Sequence, residues 1–348
     1  MTGATSYRSA WDKSVGPSTS WLPAAACTFK TGVANVAYSM ILADTFQAIA
    51  SSAGYSVSRT QTLLGMTATI LLPLCLLKDL KSLAPFSLLG ICGTGFTAGA
   101  MGYRYLAGDY ALPAGRFLKD LPATALPKFG SRGMLAARSP QTFILLSMLS
   151  TAFLAHYNSP KYYVELKDNT VKRFNTVVAS AFGIAILLFA GITSVGFLTF
   201  GASSGGFILN NYSTKDQLAT LCRVAIAVSL VFSYPLAFVG IREGLFDLAS
   251  VPSSSRSAKV PSLSLLVLSV VTALAWKIRE LSFVLSFGGA TLGNAIVFVF
   301  PALMFRAAVK NGKRKDLEGE ATVAGAIGVG GVVMGAIGAY QAIKGLKH

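Results

Sequence analysis

The sequence has few charged residues. Of its 348 residues only 13% are Asp, Glu, Lys or Arg, whereas 53% are hydrophobic and the mean hydropathy is +0.58. A soluble domain usually carries about 25% charged residues. A shortage this large excludes a globule with a charged, water-facing surface, and it favours a protein whose outer surface contacts lipid.

Side chains that bind metals or act as catalysts are also scarce. The chain holds only two histidines, His156 and His348, and four cysteines that lie in or beside apolar runs. Two histidines are too few for a histidine-based metal site or a Ser/His/Asp triad. The cysteine spacing fits neither a zinc site nor a disulfide framework. Since the sequence shows no paired carboxylates and no nucleophile beside a base, we predict neither an enzyme nor a bound organic cofactor.

Acidic residues are outnumbered, with 14 Asp and Glu against 30 Lys and Arg and a net charge of +16. A basic balance can indicate nucleic-acid binding. Here the basic residues form short clusters in the predicted loops between apolar runs, without a nucleic-acid-binding motif. The clusters include Lys78 with Lys81, Arg242 with Arg256, and Arg306 with Lys310, whereas Arg59 is one of the few basic residues in the short loops on the other side. We therefore expect a lipid bilayer as partner and no nucleic acid. The clusters predict that residue 1 lies in the cytosol and the C-terminus outside the cell or in a lumen.

Long apolar runs are abundant. A run of about 18 or more apolar residues predicts a membrane helix. These runs are too long for barrel strands and do not alternate. We predict an all-α integral membrane protein with about nine transmembrane helices, at roughly 27–50, 60–77, 84–103, 140–157, 175–200, 217–241, 261–276, 282–304 and 320–341. Two GxxxG patterns, at Gly95 with Gly99 and at Gly331 with Gly335, predict close packing between helices.

Three polar residues of the first and sixth predicted helices are candidates for ion chemistry. Asp44 is an acid inside an apolar run, where a charge is usually functional or paired, unless it lies near enough to the interface to reach water. Ser229 and Ser233 precede Pro235, which lacks the N–H that would bond the carbonyl four residues earlier. Hydroxyl and freed carbonyl oxygens suit a small cation such as sodium. A proline with nearby serines is also common as plain structure in membrane helices.

Further polar residues are candidates for substrate binding or modification. Ser147, Ser150 and Thr151 can bind a carboxylate if their helix unwinds, or they can hydrogen-bond to the preceding turn. Asn294 follows a run of small residues that indicates a cavity, a hinge or close packing. Asn211 begins an Asn-Tyr-Ser glycosylation sequon in a connection predicted to lie outside.

Seven stretches resemble the amino acid/auxin permease family, and most of all its branch of sodium-coupled neutral amino acid transporters. Residues 153–166 read FLAHYNSPKYYVEL and are similar to the sixth helix and following cytosolic loop of that family. The other similar stretches are 37–45, 74–80, 87–90, 172–201, 233–242 and 298–301. Their order and spacing together carry the resemblance, which covers almost the whole chain.

The resemblance implies an inverted-repeat (LeuT-type) fold that lacks its first two helices. It divides the chain into a cytosolic segment 1–26, three helices of the first repeat in 27–103, an extramembrane loop 104–139, a second five-helix repeat 140–304, and a basic cytosolic loop with a final helix in 305–348.

The resemblance also implies cation-coupled transport of amino acids, the neutral ones in particular, by alternating access. We assign substrate binding to Ser147, Ser150, Thr151, Tyr38 and Asn294, sodium binding to Ser233 and Ser229, and treat Asp44 as a candidate coupling acid if the cation is a proton. The alternative function is a membrane scaffold or sensor that binds an amino acid without moving it. The membrane is expected to be the plasma membrane or a vacuolar or lysosomal one.

Overall fold

The computed structural model describes residues 3–77, 84–130, 139–140 and 142–346. Within these ranges the chain is helical, and one isolated β-bridge joins Lys128 to Gly201. The α-helices are α1 (Tyr7–Ser14), α2 (Trp21–Ser52), α3 (Arg59–Met66), α4 (Leu72–Cys75), α5 (Ala84–Leu106), α6 (Thr142–Ala152), α7 (Ser159–Glu165), α8 (Val171–Phe200), α9 (Gln217–Leu248), α10 (Ser253–Lys277), α11 (Leu281–Gly288), α12 (Phe300–Asn311) and α13 (Glu318–Leu346).

Six helical segments in the described part of the chain are long and apolar enough to cross a membrane. Their lengths exceed the 20 or so residues that about 30 Å of hydrocarbon requires. Each contains one of the predicted apolar runs, so the prediction of a multi-pass helical membrane protein is confirmed. The segments are Pro17–Ser52, Val171–Phe200, Gln217–Leu248, Ser254–Lys277, Leu281–Asn311 and Lys315–Leu346.

Helix α9 lies against α2 through glycines. A side chain at Gly240 would lie 2.8 Å from Thr31 of α2, and one at Gly244 would overlap Thr28 one turn further on. Thr28 and Thr31 hydrogen-bond to carbonyls of their own helix, which leaves their methyl groups to pack. Lipid tails are as apolar as protein side chains, so the hydrophobic effect does not bring helices together in a membrane. Close approach of small residues, as seen here, holds them together instead.

Several basic residues that the sequence assigns to loops lie inside helices. Arg242 is buried within α9, where it donates to the Cys75 carbonyl at 3.2 Å. Arg256 and Lys310 lie within α10 and α12. The prediction of loop positions was wrong for these residues, because helices continue beyond the apolar run that defines a membrane crossing. Lys78 and Lys81 lie outside the described residues.

The predicted helix at 60–77 contains a π-helical segment, Thr67–Leu71. Two predicted helices later in the chain are interrupted more strongly. The predicted helix at 140–157 ends at Ala152, and a short 3-10 turn over His156–Asn158 precedes α7. The predicted helix at 282–304 contains two π-helical segments, Gly289–Gly293 and Ala295–Val299. Inside the first of them Thr291 has non-helical dihedral angles, φ −90° and ψ −111°. π-Helical turns are rare in proteins, and those that occur are often found at functional sites.

Helix α13 packs on this interrupted region through a stripe of glycines. Side chains at Gly331 and Gly335 would lie 2.6 Å from the Phe298 Cβ and 2.5 Å from the Ala290 carbonyl oxygen, respectively. This GxxxG prediction is confirmed. The prediction for Gly95 and Gly99 was wrong, because among the described atoms none lies within 4 Å of a side chain at either position. On α5 it is Gly90 that meets α9.

The connections at one end of the bundle share an aromatic cluster. Tyr110, from the connection after α5, stacks on Phe117 and makes edge contacts with Phe200 and Tyr212. Tyr110 also donates to the buried carboxylate of Asp216 at 2.9 Å. Burial, together with the charge of Asp216, raises the pKa of Tyr110, so its phenol stays protonated and keeps donating.

Candidate functional site

The two interrupted helices cross at Gly289. A side chain there would overlap the carbonyl oxygen of Ser147 on α6 and would lie 2.5 Å from the hydroxyl oxygen of Thr151. Glycine permits this approach because it has no Cβ. The crossing therefore places the polar middle of α6 directly against the irregular segment between α11 and α12.

The three hydroxyls predicted on α6 have different partners. Ser147 and Ser150 each donate to the carbonyl four residues earlier, at 2.7 Å and 3.0 Å. Thr151 donates to the Leu285 carbonyl of α11 at 2.9 Å. The serines thus hydrogen-bond to the preceding turn, as one of the two interpretations of the sequence expects, whereas Thr151 joins the two interrupted helices.

Asn294 contacts α13. Its side-chain Nδ2 donates to the Gly331 carbonyl, while its buried Oδ1 finds no donor among the residues that the structure describes. Ser147 contacts the same helix, since a side chain at Gly338 would overlap its hydroxyl. Asn294 and Ser147 therefore face one stripe of α13, and the amide oxygen of Asn294 keeps an unused acceptor.

Tyr38 lies where α2 meets α9. Its ring centroid is 6.5 Å from that of Tyr234. The hydroxyl of the neighbouring Ser39 lies 3.0 Å from the Tyr234 hydroxyl, in a buried contact. This places Tyr38 beside the part of α9 that carries Ser233.

The hydroxyls of Ser229 and Ser233 remain available. Neither makes a hydrogen bond within the described parts of the chain, although both residues are half-buried. Pro235 lies inside α9 and has no N–H, so the Val231 carbonyl lacks its usual helical donor. A side chain at Gly90 of α5 would lie 2.5 Å from the Ser229 oxygen. The middle of α9 thus offers two hydroxyls and one carbonyl oxygen next to α5.

Asp44 lies apart from these residues and is paired. It is six residues beyond Tyr38, about 9 Å further along α2. Its carboxylate accepts from Arg59 Nε at 2.6 Å and from Asn210 Nδ2 at 3.0 Å. Arg59 also donates to the Ala275 carbonyl at 3.1 Å, so it links α2, α3 and α10. Of the interpretations left open by the sequence, the geometry agrees with a paired charge.

Asp44 also lines a polar cavity of about 380 Å³ at the C-terminal end of α2. This cavity could not be predicted from the sequence, because its walls come from segments that are far apart along the chain. We call it the polar cavity; its lining residues are Asp44, Gln47, Ala48, Ser51, Asn210, Tyr212, Thr214 and Arg223.

Arg223, in the second turn of α9, is the most enclosed charged side chain of this cavity, with 1% of its surface exposed. Its guanidinium donates to three backbone carbonyls, at distances between 2.6 Å and 3.3 Å. Its Nε is buried without an acceptor, and within the described ranges no carboxylate lies within 4.0 Å of it. Arg223 was not predicted as a site residue because it lies inside an apolar run, whose hydropathy does not indicate which groups its guanidinium contacts.

The amide of Asn211 is enclosed in the structure. The residue is 4% exposed, its Nδ2 donates to the Ser203 carbonyl at 2.7 Å, and its Oδ1 accepts from Gly205 N at 2.9 Å. A glycan on Nδ2 would need space that the folded chain fills. The geometry therefore opposes the predicted glycosylation at this residue.

We expect the chain to carry no glycan at Asn211 when it is made in eukaryotic membranes. Treatment with an N-glycosidase should then leave the mobility of the chain on a denaturing gel unchanged. As a positive control, an Asn-Gly-Ser sequon inserted after Ala53, in the exposed turn that follows α2, should shift if that side is lumenal. A shift of the native chain that disappears in Asn211→Gln would contradict the expectation.

Comparison with known proteins gives matches along nearly the whole chain. Residues 2–344 match the family described as transmembrane amino acid transporter protein. A relative from Danio rerio named "Putative sodium-coupled neutral amino acid transporter 11" is 29% identical over 194 residues, which cover 56% of this chain and 42% of the relative. Its Mus musculus counterpart is 22% identical over 311 residues, which cover 88% of this chain and 65% of the relative. Amino acid transporter AVT6E of Arabidopsis thaliana is 22% identical over 274 residues, covering 76% and 53%.

These relatives are longer than the region they share with this chain. The matched regions span between 42% and 65% of the length of the three relatives. What their names state about sodium and neutral amino acids applies to the relatives themselves.

Proposed function

This chain belongs to the transmembrane amino acid transporter protein family, and from that premise we propose that it serves in cation-coupled transport of neutral amino acids. The family consists of transporters and not of enzymes. The observation that carries the proposal is the crossing of two interrupted helices at Gly289, with hydroxyls of α6 beside it. Transporters bind substrates near mid-membrane where helices are discontinuous, because the freed backbone ends can bind charged groups there.

We propose that the substrate lies at this crossing. Thr151 and Asn294 flank the irregular segment, and Asn294 Oδ1 is a buried acceptor free to receive an ammonium N–H. Ser147 and Ser150 can turn from their own helix to a substrate carboxylate, because a hydroxyl rotates freely. Tyr38 would approach from α2. The fold that we propose has nine membrane crossings in an inverted-repeat arrangement. Its second repeat comprises residues 140–304.

For the coupling cation we propose sodium at Ser229 and Ser233. The support is that neither hydroxyl has a hydrogen-bond partner in the described parts of the chain and that the Val231 carbonyl lacks its usual helical donor, and such neutral oxygens are suitable ligands for a hard cation. Asp44 is less suited to the coupling role, because its carboxylate is already paired with Arg59 at 2.6 Å and with Asn210 at 3.0 Å. A mouse relative with 26% identity over 262 residues is named sodium-coupled neutral amino acid transporter 7.

The test is uptake of a radiolabelled neutral amino acid into proteoliposomes, with and without an inward sodium gradient. It should be run on this chain and on a version extended upstream in its coding sequence. Sodium-driven uptake would support the proposal. Saturable binding without uptake in either version would replace it with the sensor function.

A sharper expectation concerns the ion site. Ser233→Ala should lower sodium-driven uptake about tenfold, which corresponds to loss of about 1.4 kcal/mol of binding free energy. The half-saturating sodium concentration should rise while substrate binding at saturating sodium is retained. Ser262→Ala, at an exposed serine of α10, is the matched control and should behave as the wild type. An unchanged sodium dependence in Ser233→Ala would remove this residue from the ion site.

A further inference from the structure

The polar cavity is separate from the crossing of the interrupted helices. Its walls are the last turns of α2, the connection between α8 and α9, and the second turn of α9. Of the residues predicted from the sequence to bind substrate or ion, it contains only Asp44. Under the proposed orientation it opens on the outer side of the membrane.

One wall of the cavity carries a buried positive charge that no described carboxylate contacts within 4.0 Å; Asp216 attracts it from further away but is itself paired with Arg104. Arg223 is almost completely enclosed, and its contacts are neutral carbonyls. A buried charge without a counter-charge is costly, and the unsatisfied Nε adds the cost of an unmade hydrogen bond. Three carbonyl contacts hold the guanidinium in place, so this wall is a fixed site of positive potential that a small anion would neutralise.

The negative charge of the cavity belongs to Asp44, and one short turn contacts both Asp44 and Arg223. The 3-10 turn Ile208–Asn211 supplies the Leu209 carbonyl to Arg223 at 2.9 Å and the Asn210 amide to Asp44 at 3.0 Å. Leu209 and Asn210 are consecutive in the sequence, so adjacent residues contact Arg223 and Asp44. Each Asp44 oxygen accepts one hydrogen bond from the described residues and has room for another.

We propose that the polar cavity is a second amino acid site, which binds a small zwitterionic amino acid with its carboxylate toward Arg223 and its ammonium toward Asp44. A ligand with both charges leaves the net charge of the cavity unchanged and neutralises Arg223 locally. The hydroxyls of Thr214 and Ser51 and the amide of Gln47 line the remaining surface, which suits a polar ligand. The site goes beyond the proposed transport function and does not require it.

The test uses the purified chain in lipid nanodiscs and L-alanine as the probe, with binding measured by calorimetry. Ser51 is exposed and lines the cavity, so Ser51→Trp should fill it without disturbing the fold. Ser52→Trp is the matched control, because Ser52 is the exposed neighbour outside the cavity lining. We expect Ser51→Trp to weaken L-alanine binding at least about tenfold, and Ser52→Trp to leave it unchanged.

Two further measurements identify the chemistry. Acetate presents the carboxylate alone and should bind at least about tenfold more weakly than L-alanine, since the Asp44 side then has no ammonium to bind. Arg223→Lys retains the charge, loses the planar fork, and should also weaken L-alanine binding. Equal binding of L-alanine by Ser51→Trp and Ser52→Trp would overturn the proposal, as would equal affinity for acetate and L-alanine. Uptake that fails while cavity binding persists would count against the transport proposal alone.

Discussion

Asp216→Ala is expected to lower the free energy of unfolding by about 3–5 kcal/mol, because it removes a fully buried carboxylate that caps α9 and pairs with Arg104, which then keeps only Asp109 as a partner. Asp216 has no exposed surface. Its carboxylate accepts from Arg104 at 2.6 Å and from the Tyr110 hydroxyl at 2.9 Å. It also caps α9 by accepting from two backbone N–H groups, and loss of such a cap alone costs about 0.5–2 kcal/mol.

Thermal unfolding of the purified chain in detergent, followed by tryptophan fluorescence, would measure the effect. Asp120→Ala is the matched control, since Asp120 pairs with Lys215, whose side chain is 74% exposed. An ion pair of that kind contributes about 0–1 kcal/mol. Equal unfolding temperatures for Asp216→Ala and Asp120→Ala would refute the role given to the Asp216 carboxylate.

Gly289→Ala is expected to prevent the crossing of α6 and α11, with a loss of about 3 kcal/mol or more in the free energy of unfolding. Overpacking of a filled interior typically costs about 1–3 kcal/mol, and more where the obstructing group cannot move. The obstructing atom at Gly289 is the backbone carbonyl of Ser147, which cannot turn aside as a flexible side chain would.

Gly95→Ala provides the control, because a side chain there meets no described atom within 4 Å. In a helix this change should stabilise the chain by up to about 1 kcal/mol. The comparison uses the yield of monodisperse protein after detergent extraction together with the unfolding temperature. A Gly289→Ala chain as stable as the wild type would show that the two interrupted helices do not touch there.

The membrane helices could be predicted from the sequence because the hydrocarbon thickness fixes how long an apolar run must be. Their interruptions could not be placed in the same way. A hydropathy average does not register the backbone dihedral angles of Thr291 or the end of α6 at Ala152. The small residues before Asn294 were interpreted as a hinge, a cavity wall or packing, and both irregular geometry and close packing are found there.

The charged contacts were harder to predict, because they join residues that the hydropathy pattern keeps separate. Arg59 was counted as a loop charge that sets orientation, yet it pairs with Asp44 across the turn between α2 and α3. A signal was available: the two residues are 15 apart on antiparallel helices joined by a short turn. Arg104 and Asp216 are 112 residues apart, and no local pattern could have joined them.

Glycine spacing alone did not identify packing faces. The two GxxxG patterns look alike in the sequence, yet Gly331 and Gly335 contact other helices while Gly95 and Gly99 meet none of the helices that the structure describes. Small residues permit close approach but do not attract a partner. Which face is used depends on where neighbouring helices lie, and that is a property of the whole fold.

The glycine stripe of α13 has a consequence for the order in which the chain is made. Every residue that the glycines of α13 are described as meeting, from Phe143 to Arg306, precedes this helix in the sequence. During synthesis these residues enter the membrane before α13 has left the ribosome. The amide of Asn294, which donates to the Gly331 carbonyl in the finished fold, has no such acceptor until then. Unpaired polar groups are costly in hydrocarbon. The face of the nascent chain that carries Asn294 must therefore pack against a temporary neighbour until α13, its last described helix, is released.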